Sequence, residues 1–407
     1  MKTALSVLLV LLLTGFAAAK KAPAPDPKPA AVANNAFAAD LYGVLAEKKG
    51  NLFFSPYSVT AALAMTREGS KGATRAEIDK VFHWTDAITA KSHRALVDAL
   101  KPGTVTDGYG DEAKEVPAYA LEIANALWAQ QGLAVEKPFS TTLADDFGAP
   151  LRRLDFTKTA AARKVINDWV AKQTKDRIQD IVPPDLPTPD TLFALANAIW
   201  FKGAWDEPFK EHWTKDIPFT APGEEIFEVS MMHRTGGYRY VEDDAVQVVE
   251  IPYRGGHTSM VVVLPKKTDG LAAVEKTLTG KKLQAWIAAL RRRSVSLKFP
   301  KFEITCPTDL TDVLPKMGMP AAFDSEKADF TGMTAEKPLF IGAVLHKAFV
   351  KVNEAGTEAA AATVVMMTKG GAPRNPTEFT ADHPFLFLIR HAKTGAILFA
   401  GRFVMPE

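Results

Sequence analysis

The stretch Glu354–Gly371, EAGTEAAAATVVMMTKGG, decides how the rest of the chain is read. It follows Ala348–Asn353 (AFVKVN), whose alternation of apolar and polar residues predicts a half-buried strand. Carried past Gly356, the alternation puts Thr357, Ala359, Ala361, Thr363, Val365 and Met367 on one face. Glu358, Ala360, Ala362, Val364 and Met366 fall on the other. The first face is small, uncharged and free of proline, so the segment can enter between two existing strands without clash and still donate every ladder N–H. Glu358 is then expected to point outward. Local propensity allows a second reading, a surface helix through the alanines Ala359–Ala362 with Glu354 and Glu358 in its first turn.

Length and composition set wide bounds. A chain of 407 residues, 47% hydrophobic and 24% charged, can bury a large core without covalent staples. A net charge of +2 gives no steering toward nucleic acid or an acidic membrane. The single cysteine, Cys306, excludes an internal disulfide and is expected to be a small buried residue rather than a reactive thiol.

Residues 1–19 read as a signal peptide: Lys2 precedes an apolar run, Leu5 to Leu13, too short to span a bilayer, and Ala17-Ala18-Ala19 offers a small-residue cleavage site. Residues 20–32, rich in Pro, Ala and Lys, are expected to be a disordered leader. No cysteine follows the apolar run, so no lipid anchor is expected. An exported protein without a disulfide fits a bacterial periplasm or exterior.

Residues 33–407 show no linker or repeat and read as one α+β domain, helices first and strands later. Phe37, Leu41, Val44 and Leu45 have helical spacing. Ser55-Pro56 sets a cap and a first-turn proline before another helix, and Thr74 with Glu77 suggests a capping box. A Gly/Asp-rich loop is expected over 103–111. Strands are expected at 119–127, 192–201, 246–251, 260–264 and 295–305, and a helix over 159–175.

Catalytic and metal signatures are missing from the sequence. It has no G-x-S-x-G, H-E-x-x-H, Walker loop or dinucleotide fingerprint, and its eight histidines are scattered. His233 and His257 read as solvated, Arg291-Arg292-Arg293 as a solvated helix end, and the adjacent pairs Asp145-Asp146 and Asp243-Asp244 point different ways. No enzyme, metal or cofactor is expected.

Several segments together resemble the serpin family of serine protease inhibitors over nearly the whole chain after the leader. They are Asn51–Ser58 (NLFFSPYS); Leu195–Gly203 (LANAIWFKG) with Trp205, Pro208, Phe209 and Thr214; Ala328–Met333 (ADFTGM); His346-Lys347-Ala348; Glu354–Ala360; and Asp382–Ile389 (DHPFLFLI). The resemblance implies an α+β serpin fold of about nine helices and three sheets with an exposed reactive-centre loop, here about 354–378. It implies that a target protease cleaves the loop, forms an acyl-enzyme and is trapped when the loop inserts as a new strand in the main sheet. The hinge would be Glu354, Gly356, Thr357, Glu358, Ala359, Ala360, Ala361, Ala362 and Thr363. The shutter would be Ser55, Ser58, Asn197 and His346, and the breach Trp205, Lys347 and Glu354. Gly342 departs from the family's usual serine and is expected to loosen the sheet.

The scissile bond stays open at this level. Family spacing from Glu354 gives Gly370-Gly371, while spacing from Pro384 gives Pro373-Arg374. Trypsin-like chemistry favours cleavage after Lys369, before Gly370. Met366 or Met367 would suit chymotrypsin-, elastase- or subtilisin-like enzymes, and Arg374 is a further basic alternative. The partner expected is a serine protease, most simply a trypsin-like one, met by a monomer that binds no nucleic acid. A cysteine-protease target and a non-inhibitory carrier role are the alternatives. No polyanion cofactor is expected, because the lysines between Lys91 and Glu115 are diluted by acidic residues.

Overall fold

The computed structural model describes residues 25–108, 113–336, 338–358 and 375–406. Among these, nine α-helices occur: α1 Lys28–Leu45, α2 Pro56–Glu68, α3 Gly72–Val81, α4 Ala90–Ala99, α5 Lys137–Phe147, α6 Thr159–Gln173, α7 Leu271–Lys276, α8 Gly280–Ala289 and α9 Val313–Met317. The strands before the middle of the chain are β1 Leu52–Phe54, β2 Thr104–Asp107, β3 Lys114–Pro117, β4 Ala120–Gln130, β5 Arg152–Leu154 and β6 Phe193–Ala204. Then follow β7 Lys215–Thr220, β8 Ile226–Glu242, β9 Val246–Pro252, β10 Thr258–Pro265, β11 Arg291–Pro300 and β12 Phe302–Asp309. The last are β13 Leu345–Asn353, β14 Gly356–Thr357, β15 Thr377–Thr380, β16 Phe385–His391 and β17 Ile397–Phe403. They build three sheets, a six-stranded one in the order β12-β13-β14-β6-β4-β5, a nine-stranded one, and the hairpin β2-β3. This is the α+β arrangement of about nine helices and three sheets that the resemblance implies.

The six-stranded sheet is buried on both faces around β6. Ile199 and Phe201 enter the main core, while Ala196 and Ala198 enter a second core beneath α6, whose Ala162, Ile166 and Val170 recur every four residues along one side. Two-sided burial explains why LFALANAIWF reads as a continuous apolar run instead of alternating. Under the inner face lies α2. Ser55 caps it by accepting from the Ser58 N–H at 3.0 Å, and Pro56 fills the first turn, as the sequence predicts.

Several expectations are corrected. Helix α1 begins at Lys28, with Ala30 and Ala31 fully buried, so residues 28–32 are helical and packed rather than the disordered leader expected of them: small alanines pack here and Pro29 is tolerated in a first turn. Thr74 and Glu77 do not cap α3. They accept instead from the backbone N–H groups of Asp329 (2.9 Å) and Ala321 (2.8 Å), tying a distant segment to the helix. Part of the Gly/Asp-rich loop is the hairpin β2-β3. Arg291–Arg293 open strand β11 rather than end a helix, with Arg292 directly opposite Arg239. Cys306 lies on β12, partly exposed and packed on the main core. A Cβ at Gly342 would meet nothing within 4 Å, so no packing is lost there.

Candidate functional site

The hinge enters the six-stranded sheet as a strand of its own. Gly356 and Thr357 pair with Asn353 and Val352 of β13 on one side and with Ala204 and Gly203 of β6 on the other. Only glycine fits first in line: Gly356 has φ +151°, and a Cβ there would lie 2.1 Å from the Gly203 carbonyl oxygen. Thr357 turns inward, 1% exposed, with its hydroxyl 2.7 Å from the phenol of Tyr253. Its fully buried ring stacks on Trp205 at 4.6 Å, and burial pushes its phenol far above the ordinary range.

One residue further, the Glu358 N–H donates to the Lys351 carbonyl at 2.8 Å. Its side chain takes the face opposite Thr357, as alternation predicts, yet it does not reach solvent. That face is roofed by the connection after α6, and the Glu358 carboxylate is buried against the Trp200 indole N–H and Arg177, the latter at 3.2 Å. Burial raises its carboxyl above the ordinary value, with Trp200 and Arg177 pulling against that rise.

At the top of the sheet, Trp205 and Glu354 come together. The Trp205 indole N–H donates to the Asn353 carbonyl at 2.9 Å, and its backbone N–H to that of Ala355, also at 2.9 Å. The Glu354 carboxylate accepts from Thr214 Oγ1 at 2.8 Å and pairs with Lys301 Nζ at 3.0 Å. Burial pushes this carboxyl up, but its own backbone, Lys301 and Thr214 outweigh that and hold it below the ordinary range. Lys347, expected here, is not: on β13, six residues before Asn353, it donates to the Gln179 carbonyl at 2.9 Å.

In the middle of the sheet, Ser55, Ser58, Asn197 and His346 form one connected network. The Ser55 N–H donates to His346 Nε2 at 3.0 Å, and the Ser55 hydroxyl to the Leu398 carbonyl at 2.6 Å. The Ser58 hydroxyl donates to the Asn197 amide oxygen, and the Asn197 amide donates to that of Asn125. Each of the four is at most 5% exposed. Burial pushes the His346 pKa down to about 4, so it is neutral, with the proton on Nδ1, which has no partner among the described residues. The hinge positions Ala359, Ala360, Ala361, Ala362 and Thr363, and the cleavage candidates Met366, Met367, Lys369, Gly370 and Arg374, lie outside the described residues, as do residues 1–19, expected to be a signal peptide.

The serpin family profile, described as serine protease inhibitor, matches residues 32–406. The leukocyte elastase inhibitor A of Rattus norvegicus is 37% identical over 385 residues, 92% of this chain and 98% of that protein. A serpin-like protein of Methanosarcina acetivorans is 36% identical over 390 residues, 93% of this chain and 88% of that one. Serpin48 of the insect Tenebrio molitor superposes with a TM-score of 0.80 at 30% identity, covering 93% of this chain and 98% of its own. The chain belongs to the serpin family.

Two residues of this serpin's site escape the sequence reading. Lys301 supplies the cation beside Glu354 where the resemblance implied Lys347, and Asn125 extends the central network. Asn125 carries a legible signal: IANAL at 123–127 mirrors LANAI at 195–199, and antiparallel pairing sets Asn125 directly opposite Asn197. Lys301, one of two lysines in LKFPKF, has no distinguishing mark in the sequence.

Proposed function

We propose that this serpin is an exported suicide-substrate inhibitor of serine proteases. The protease serine attacks the carbonyl of the P1 residue, which we assign to Lys369. The Gly370 amine leaves, and the acyl bond persists while residues of about 357–369 enter the sheet. The observation that carries the proposal is the seated hinge, Gly356 and Thr357 hydrogen-bonded between β13 and β6.

Continued in that register, Ala359 would lie opposite Val350 and Phe201, and Ala361 opposite Ala348 and Ile199. Thr363 would lie opposite His346 and Asn197. Val350, Phe201, Ala348 and Ile199 belong to the main core, and His346 and Asn197 are buried beside it, so a close-packed interior would admit only small side chains there. On the other face, Ala360 would meet Trp200, beneath Lys175, and Ala362 would meet Ala198, beneath α6. Four alanines in a row therefore serve both faces, since neither is open to water. In this reading the central network is the shutter that must part, and Thr363 brings a hydroxyl to the unpartnered His346 Nδ1. Trp205, Glu354 and Lys301 are the breach.

The test mixes the mature protein with trypsin, chymotrypsin, elastase and subtilisin, followed by denaturing gels and mass spectrometry. A complex that survives SDS with trypsin, with a released peptide starting at Gly370, is expected. Cleavage by all four without any complex would overturn the proposal for these protease classes. In Thr357→Arg a guanidinium replaces a hydroxyl packed against Tyr253, so insertion should stall and the protein should be turned over as substrate. A stable complex formed by that variant would contradict the insertion step.

A further inference from the structure

We propose that Arg177 and Glu358 form a latch that keeps the hinge seated between β13 and β6 and so limits how much of the loop is offered to a protease. The consequence for proteases rests on the inhibitor reading; the latch itself does not.

Glu358 is where the chain leaves the strand path. Its N–H still occupies the ladder, bonded to Lys351, but its φ of +50° is left-handed, which a glutamate adopts only when its surroundings hold it there. The surroundings are visible: the side chain is 2% exposed, wedged against the Trp200 indole N–H, with the Arg177 guanidinium as its counter-charge. Arg177 itself is 53% exposed and belongs to a connection that spans the sheet from outside. Within that connection Lys175 lies 4.7 Å over the Trp200 ring of β6 and 3.5 Å from Glu122 of β4. Its Gln179 carbonyl is held by Lys347 of β13. The connection thus touches the strands on both sides of the seated hinge, and Arg177 is its link to the hinge itself.

The charge pair exists only while the hinge is seated, so it shifts the balance between seated and released hinge by its own free energy. Among the other seated contacts, Thr357 with Tyr253 and the short ladder are neutral, and Lys202 adds a Coulombic attraction to Glu358 that is weaker than that of Arg177. Without Arg177, a carboxylate would remain buried against one N–H donor, with its second oxygen unpartnered among the described residues, and the seated state would lose most of its advantage. Release would add Gly356, Thr357 and Glu358 to the reach of the loop. Glu358→Gln should weaken the seated state less, because it loses the pair but its amide oxygen can still accept from Trp200 with no charge left buried.

The experiment is amide hydrogen exchange on the full-length chain and the variants Arg177→Ala and Glu358→Gln, with trypsin cleavage of the loop timed in parallel. In Arg177→Ala, exchange at the Glu358 amide should rise about tenfold while exchange at Val350 in β13 is unchanged, and loop cleavage should speed up by about threefold. In Glu358→Gln, exchange at residue 358 should rise by less than in Arg177→Ala. Unchanged exchange at Glu358 in Arg177→Ala, or an equal rise along all of β13, would overturn the latch. Cleavage is counted whether or not the protease is trapped, so a protein that is cut without forming a complex would refute the inhibitor reading and leave the latch result readable.

Discussion

In the middle of the six-stranded sheet, Ser55, Ser58, Asn197, Asn125 and His346 are joined by neutral hydrogen bonds, all but the partly exposed Asn125 being buried; at its top, Glu354 is held by Lys301, whose side chain is 40% exposed. The two regions respond differently to opening. Parting the central network strands buried donors and acceptors with no water to replace their partners, so each loses its full solvation. Parting the upper pair returns two charges to solvent that already reaches one of them. The sheet is therefore easier to open from the top downward, and the seated Gly356 and Thr357 occupy the end where opening is cheap. In the proposed insertion, parting the central network is the step that the entering strand must compensate.

That contrast can be broken first at Asn197. Asn197→Ala removes the acceptor of the Ser58 hydroxyl and the donor to Asn125, leaving two buried polar groups unmatched. A loss of about 3 kcal/mol is expected, read as a lowered urea midpoint and faster unfolding. A loss no larger than that of a surface substitution would mean that water already reaches the network, and the asymmetry between the two regions would disappear.

The pH dependence of stability sharpens it further. His346 titrates at about 4 when folded, because burial opposes its charge, and near its ordinary 6.5 when unfolded. Between these values the unfolded chain takes up the proton first, so stability is full above pH 6.5 and falls as pH drops toward 4. His93 and His391 are pushed down to about 4 in the same way, so roughly a third of the histidine-linked slope belongs to the central network. His346→Gln, whose amide oxygen can still accept from the Ser55 N–H, should remove that third. A slope unchanged from the parent would place the sensitivity at the other two histidines.

The legible parts of this molecule were those written in short-range pattern. The Ser55-Pro56 cap and the strand alternation that sends Thr357 inward and Glu358 to the other face both hold in the structure. Resemblance brought together the four shutter residues, and the geometry joins them in one network. What could not be read is which surface covers which. Alternation places Glu358 on the outer face but does not reveal that residues 174–181 roof it; that depends on where α6 crosses the sheet, a contact between segments some 180 residues apart. The same blindness misassigned the breach cation. Lys347 sits beside His346 in sequence and looks local to the site, whereas Lys301 reaches Glu354 only because β12 and β13 are antiparallel neighbours, which puts the start of β12 against the end of β13.

The smallest expected effect tests that corrected assignment. Lys301→Ala removes the counter-charge of a carboxylate that keeps its bond from Thr214, and half-exposed lysines contribute little, so the loss should be about 0.5–1 kcal/mol at low ionic strength. In about 1 M salt the Debye length shrinks to roughly 3 Å and the difference from the parent should shrink with it. The Asn197→Ala deficit should not move with salt, because no charge takes part in it. Lys347→Ala is the companion measurement: it lies away from Glu354, so its effect should be additive with Glu354→Gln, whereas Lys301→Ala should not be. Additivity of Lys301 with Glu354 would return the breach to an arrangement in which the ion pair is bystander geometry, and the top of the sheet would then be held shut by Trp205 and the hinge backbone alone.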